Sequence, residues 1–407
     1  MKPAQHSAGN KPIPIAWLLA ALIGDLLLLC LVIGAAGLRA GLLGGLLVAL
    51  GIAQTPTTFL PTPSPPPTAT PLPRPSLRSL AEANGLLVGV SVGAGWLSDP
   101  TYANLLTSEF NAVTAENAMK FESLHPGPQE YSFEESDAIV DFASQNGMKV
   151  RGHTLVWGNQ LPEWVLEGEY SREEWIEILR QHINTVVGRY RDTQSSALEG
   201  QGKTVIAWDV VNEAIGEKGE LLDNFWLQKI GPSYIPLAFQ FAHEADPQAL
   251  LFYNDNGGEG LNPKSQGIYN LVQGLVKASV PIDGVGFQLH VGLDGVPSAG
   301  ELVANMKRLA DLGLVVHITE MDVRTQYRSD PLPQKLEAQA GVYRQVVEAC
   351  LQSPNCQGFF TWGLTDSHSW IPGLTGKEDF PLLFDQQYQP KPALFALLDL
   401  LKSMNNP

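Results

Sequence analysis

The strings Trp208-Asp209-Val210-Val211-Asn212-Glu213 and Val316-His317-Ile318-Thr319-Glu320-Met321-Asp322 each carry an apolar, β-type run straight into a glutamate. In a chain that alternates strands with helices, such a strand belongs at the C-terminal mouth of a parallel barrel, where the fold gathers its polar groups. That alternation holds from residue 78 onward. Apolar β-type runs occupy 86–93, 110–118, 149–158, 204–213, 249–255, 284–291, 314–322 and 358–363. Helical patterns fill 134–145, 171–191, 262–279, 299–312, 334–351 and 391–404. Eight strands separated by helices close into a (β/α)₈ TIM barrel. An open doubly wound sheet is the competitor, but no Gly-x-Gly-x-x-Gly follows the first strand and nothing suggests a dinucleotide.

The remainder of the 407 residues divides into two segments ahead of the barrel at 78–407. Residues 1–53 start with Lys2 and Lys11 and continue as an apolar stretch, broken only by Asp25 and Arg39. That is longer than the ~7–15 apolar residues of a signal peptide and sufficient for the ~20 that span a bilayer. A signal-anchor spanning 15–38, with its lysine-bearing end inside, is the first expectation. Cleavage after Ala53 is the alternative, and a hairpin of two spans is a third that would return the barrel to the cytoplasm. Residues 54–77 are rich in proline and threonine and form a semi-rigid spacer rather than a core. The expected location is therefore the outer face of a cytoplasmic membrane, or the medium.

With 42 acidic against 26 basic residues the formal charge is −16, which argues against nucleic acid as a partner, since phosphates call for a basic face. Cys30 falls in the apolar stretch, while Cys350 and Cys356 flank a short loop before the last strand. A disulfide across that loop suits an exported protein, and two free thiols are the other reading.

The strand ends converge. The run at 110–118 supplies Glu116 and Asn117, with Lys120 a turn later; the third run supplies His153, Trp157 and Gln160; the fourth, Asn212 and Glu213. The sixth adds Gln288 and His290, the seventh Glu320 and Asp322, the last Trp362, with Trp370 in the loop beyond. Any one glutamate here could be a helix cap or a surface charge. So many polar ends on one face are costly to collect without use. Period-two geometry points Glu320 and Asp322 the same way and turns His317 toward the helix layer as a structural histidine. His290 falls between the two acids, so an imidazole held by Asp322 and donating to Glu320 keeps that carboxylate ionised for nucleophilic attack. Glu213 is expected to keep a proton through partial burial and a neighbouring carboxylate. Two carboxyl groups so divided are the requirement of a glycosidase.

In these strings the domain resembles the family 10 glycoside hydrolases, endo-β-1,4-xylanases of the (β/α)₈ type. The matching segments are Thr114–Lys120, Arg151–Trp157, Trp208–Ala214, Gly286–His290, Ile318–Asp322 and Thr361–Asp366, in order and spread over roughly 80–402. The resemblance implies a retaining, endo-acting xylanase with Glu213 as acid/base and Glu320 as nucleophile. It implies that Glu116, Asn117 and Lys120 hold the sugar on the non-reducing side, that His153, Asn212 and Gln288 bond the sugar being cleaved, and that Trp362 and Trp370 wall both. A disulfide between Cys350 and Cys356 also agrees with it. The expected partner is xylan or its oligosaccharides, acted on by a monomer with no cofactor and no metal. Two local departures stand out: Trp157-Gly158-Asn159-Gln160 where the family has Trp-His-x-Gln, and Asn254-Asp255-Asn256-Gly257 where it has Asn-Asp-Tyr-Asn.

Rival functions leave different traces. A metal-dependent barrel hydrolase wants His-x-His on its first strand, and 86–93 carries no ligand. A glycan-binding receptor keeps the tryptophans and loses a glutamate, whereas both are present here. A related retaining glycosidase acting on another β-1,4-glucan or mannan shares the two-glutamate logic and is the runner-up.

Overall fold

A computed structural model describes residues 74–193 and 202–404. The expected span at 15–38, the rest of 1–53 and most of the spacer at 54–77 lie outside the described residues. Among those described, no helix is long and apolar enough to cross a membrane.

Nine strands run parallel: β1 (Leu87–Val92), β2 (Ala112–Ala115), β3 (Lys149–Val156), β4 (Val205–Asn212), β5 (Leu250–Asp255), β6 (Gly284–Phe287), β7 (His290–Gly292), β8 (Val315–Arg324) and β9 (Cys356–Thr361). Each of β1 to β5 pairs with the next, β6 pairs with β8, β8 with β9, and β9 with β1, so eight strands close on themselves. The ninth, β7, is a short extension that pairs only with the outer end of β8. The run expected as one strand at 284–291 is thus two. It breaks at Leu289, whose φ of 59° lies in the left-handed region and cannot continue a ladder.

Helices coat the outside, begun by local chemistry that the sequence carries. Ser171 and Glu174 form a capping box ahead of Arg172–Tyr190, and Ser298 and Glu301 do the same for Ala299–Ala310. Two helices absent from the sequence reading, Pro100–Glu109 and Tyr234–Ala245, fill the gaps after β1 and β4. The last described helix, Pro392–Met404, packs between Leu332–Leu351 and the first described helix, Leu77–Ala83, and so seals the ring. Ser76 caps that first helix and Arg74 pairs with Glu109 at 2.7 Å. Residues 74–77, assigned above to the spacer, are therefore part of the barrel.

The barrel interior explains His317. Its ring meets Phe252 of β5 at 4.5 Å and Phe360 of β9 at 6.0 Å, and the Arg151 guanidinium of β3 lies over both phenyl rings. Since β3 and β5 adjoin neither β8 nor β9, these side chains can meet only through the interior. His317 therefore faces the barrel axis, not the helix layer. Its expected direction assumed unbroken alternation back from Glu320, but from Ile318 to Met321 strand β8 advances three residues against two on β9, and that extra residue resets which face Glu320 takes relative to His317. Burial, reinforced by Arg151, pushes the His317 imidazole well below its usual range, so it is a neutral core residue. The sulfurs of Cys350 and Cys356 lie 2.00 Å apart where Leu332–Leu351 leads into β9.

Candidate active site

At the C-terminal mouth the strands enclose a cavity of about 560 Å³. Glu213 and Glu320 line it together with Glu116, Asn117, Lys120, His153, Trp157, Gln160, Asn212, Gln288, His290, Trp362 and Trp370. Asp322 stands behind His290 and is reached through it. Every predicted site residue apart from the cysteines is thus in or against one cavity. A mostly apolar hollow of similar volume opens at the other end of the barrel, around Leu314, Pro354 and Asn355. It contains no pair of acids, and the chemistry is not there.

Glu320, 4% exposed, is built into a cationic environment. His290 approaches its Oε2 through Nε2 at 3.2 Å, and the other ring nitrogen meets Asp322 at 2.8 Å. Trp370 Nε1 donates to the same Asp322 oxygen at 2.8 Å and fixes it. On the other side Nδ1 of His153 lies 3.8 Å from Glu320 Oε1 and 3.0 Å from Asp209, whose two oxygens are taken by the Arg151 fork at 2.7 and 3.0 Å. Burial by itself raises the Glu320 pKa, but His153 and His290 more than offset it and the net shift is downward. Burial works against charge on His290 too, yet Asp322 and Glu320 prevail and lift it to about 10. Both ring nitrogens therefore carry hydrogens at neutral pH, and Glu320 is held as a carboxylate.

Glu213 sits differently. Its oxygens accept from two neutral donors, Trp157 Nε1 and Gln288 Nε2, each at 3.0 Å. No cation is hydrogen-bonded to it among the described residues. Gln288 Nε2 also reaches Asn212 Oδ1 at 3.2 Å; that oxygen accepts from Asn254 Nδ2 at 2.9 Å, which in turn donates to Glu320 Oε1 at 2.7 Å. Three neutral amides thus link the two carboxyl groups. Thr319 holds the far side of Asn254 through a 2.7 Å bond.

At one end of the cavity Lys120 donates to Asn117 at 2.8 Å and Gln160 at 2.7 Å, with its ammonium 5.1 Å from the Trp157 ring. Burial lowers the Lys120 pKa and raises that of Glu116, so this corner holds its charges at a cost that a polar ligand relieves. Trp362 stands edge-on to His153 at 5.2 Å, and Trp370 lies 5.1 Å from His290. Gln160, Glu213 and Leu289 have φ of 49°, 55° and 59°, values that cost non-glycine residues about 1–3 kcal/mol each and persist where surroundings enforce them.

Three contributors escaped the sequence reading. Asn254, next to last in β5, stands at the strand end that the sequence shows only as a departure. Arg151 and Asp209 stand inside apolar runs on the neighbouring strands β3 and β4, and a charge in such a run must find an opposite partner. His153, Asp209 and Glu320 offer atoms within 4.8 Å of one another, a spacing that could suit a metal ion. With Arg151 on both Asp209 oxygens, the group is already neutralised by protein cations. The Gly158 departure has a local cause, since a Cβ there would come within 2.9 Å of Asn224. Gly257 is explained by its φ of 68°.

Replacing His290 by glutamine tests the charge arrangement. It removes a cation that lowers the Glu320 pKa, so the acid limb of kcat/KM should move to higher pH while kcat falls. A pH profile with an unmoved acid limb would show that His290 does not hold Glu320 ionised.

Endo-1,4-beta-xylanase B of Thermotoga neapolitana is 41% identical over 333 residues, covering 80% of this chain and 91% of that one. Exoglucanase XynX of Acetivibrio thermocellus is 36% identical over 78% of this chain, which spans 29% of that longer protein. Among solved structures, xylanase 10B of Thermotoga petrophila RKU-1, in complex with xylobiose, superposes with a TM-score of 0.76 at 38% identity, covering 82% of this chain and 99% of its own. Residues 76–400 match the profile of "Glycosyl hydrolase family 10". With that match spanning most of the chain and the two glutamates set at one barrel mouth, the chain belongs to glycosyl hydrolase family 10.

Proposed function

We propose that the chain is an endo-1,4-β-xylanase that hydrolyses internal bonds of xylan with retention at the anomeric carbon. The observation that carries this reading is the contrast between Glu320, set among histidines, and Glu213, set among neutral donors, in one cavity. Family membership and the named xylanase relatives support the substrate.

The chemistry takes two steps. Glu320 attacks the anomeric carbon as the bond to the leaving oxygen breaks, and Glu213 gives that oxygen its proton. The product is a glycosyl ester on Glu320 and a shortened chain. Glu213, now a carboxylate, takes a proton from water, whose oxygen attacks the same carbon and displaces Glu320. Asn254 and His290 hold the nucleophile throughout, and His290 remains a cation whose field opposes premature protonation of Glu320. Lys120, Asn117 and Glu116 hold the sugar on the non-reducing side, while Trp362 and Trp370 present apolar ring surface to the sugars.

The name of the Acetivibrio thermocellus relative favours one second reading, hydrolysis of a β-1,4-glucan by the same two steps. Residues 74–407 should release reducing sugar from glucuronoxylan and arabinoxylan, with carboxymethyl cellulose and mannan far slower, and proton NMR should show the β-anomer first. Cellulose as the faster substrate would favour the glucanase reading, and initial α-anomer would exclude retention.

The barrel is further proposed to work outside the cytoplasm, tethered by 15–38 on a spacer at 54–77, with Cys350 and Cys356 oxidised. Lys2, Lys11 and the apolar stretch support the tether, and the paired cysteines suit an oxidising compartment. N-terminal sequencing of the exported protein should find the span retained. A chain starting at Gln54 in the medium would replace the tether with secretion.

A further inference from the structure

Glu213 is the last residue of its catalytic string, and its backbone is left-handed at a φ of 55°. A glutamate does not hold that conformation unaided. Both peptide groups flanking it are tied, and both ties come from β5. The amide of Glu213 donates to the Asn254 carbonyl at 2.9 Å, and the amide of Ala214 donates to the hydroxyl of Tyr253 at 3.0 Å. Tyr253, completely buried, has one hydroxyl proton, which it donates to Asp255. That leaves the phenolic oxygen free to accept from Ala214. Asp255 is itself 2% exposed and is fixed by the Lys264 ammonium at 3.1 Å and the Asn256 amide at 2.8 Å. Lys264 continues outward to Glu217 at 3.3 Å.

Tyr253, Asp255 and Lys264 do not line the cavity, and the two-step mechanism uses none of the three. Yet they form one directional series: Lys264 and Asn256 orient Asp255, Asp255 orients the Tyr253 hydroxyl, and that hydroxyl receives the peptide next to the acid/base. Burial also lifts the Asp255 carboxyl, against the pull of Lys264 and Tyr253, to about 7, which marks it as a charge kept inside the fold at a cost.

We infer that Tyr253 and Asp255 are positioning residues for Glu213: they lock the peptide on its C-terminal side and so set the direction in which its carboxyl faces the leaving oxygen. The inference rests on the reading of Glu213 as acid/base. Its consequence is selective. Misaligning the proton donor harms cleavage in proportion to how much the leaving group needs a proton, whereas a general loosening of the barrel harms every substrate alike.

The test is kcat/KM, which reports the first chemical step, for the full chain and its variants on aryl β-xylobiosides whose leaving groups range from dinitrophenol to phenol. Tyr253→Phe removes one oxygen from a buried ring, and Asp255→Asn cancels the charge that orients it. In each, cleavage of the phenyl glycoside should fall by ~10-fold or more, a fraction of the ~10²–10⁴ that general acid catalysis contributes. The dinitrophenyl glycoside should change by less than about twofold, since its departure needs no proton. A uniform fall across the series, or no fall, overturns the inference; if the phenylalanine variant does not fold, the Asp255→Asn series decides by the same criterion. Glu213→Ala serves as the control and should show the same selectivity more deeply, with azide restoring turnover of the dinitrophenyl substrate. Should that control be flat and deaf to azide, the acid/base assignment fails. A normal control beside a flat Tyr253→Phe series retires the positioning role alone.

Discussion

One imidazole shared by two carboxylates governs this site. His290 lies between Glu320 and Asp322 at hydrogen-bond distance from both, and together with His153 it more than offsets the burial that raises the Glu320 pKa. The rest of the mouth serves that arrangement. Trp370 fixes Asp322, the Arg151–Asp209 pair fixes His153 on the opposite flank, and the barrel has to close for β6 and β7 to stand beside β8 at all. The break at Leu289 is part of the same device. It lets Gln288 turn toward Glu213 while His290 turns toward Glu320, so the two residues flanking Leu289 serve the two acids.

The contrast between the acids is drawn by neighbours, not by the glutamates themselves. Glu320 is bounded by histidines, Glu213 by an indole and an amide, and the Gln288–Asn212–Asn254 series joins them without adding charge. These neutral amides fix the geometry between the two carboxyl groups.

Much of this was legible in the chain because barrels put polar groups at strand ends, and a glutamate after Val-Val-Asn or Ile-Thr is conspicuous there. The sheet order and the gathering of His153, Gln288, Trp362 and their neighbours into one cavity follow from that rule. The reading went astray where backbone regularity failed. Counting in twos turns His317 outward because the extra residue between Ile318 and Met321 leaves no mark in the sequence, and a left-handed leucine leaves none either, so 284–291 reads as continuous. The role of Asn254 comes from bonds to Asn212, Glu320 and Thr319 that only the closed barrel assembles. Gly158 looked like a lost side chain and is instead the space Asn224 occupies.

The central claim is that these surroundings make Glu320 the nucleophile. A fluorinated xylobioside that forms the glycosyl-enzyme but turns over slowly should stop the enzyme with one fluoroxylobiosyl group bound, and peptide mapping by mass spectrometry should place that group on the segment containing Ile318-Thr319-Glu320-Met321. A label on the Glu213 segment, or inactivation with no covalent adduct on either glutamate, would contradict the account.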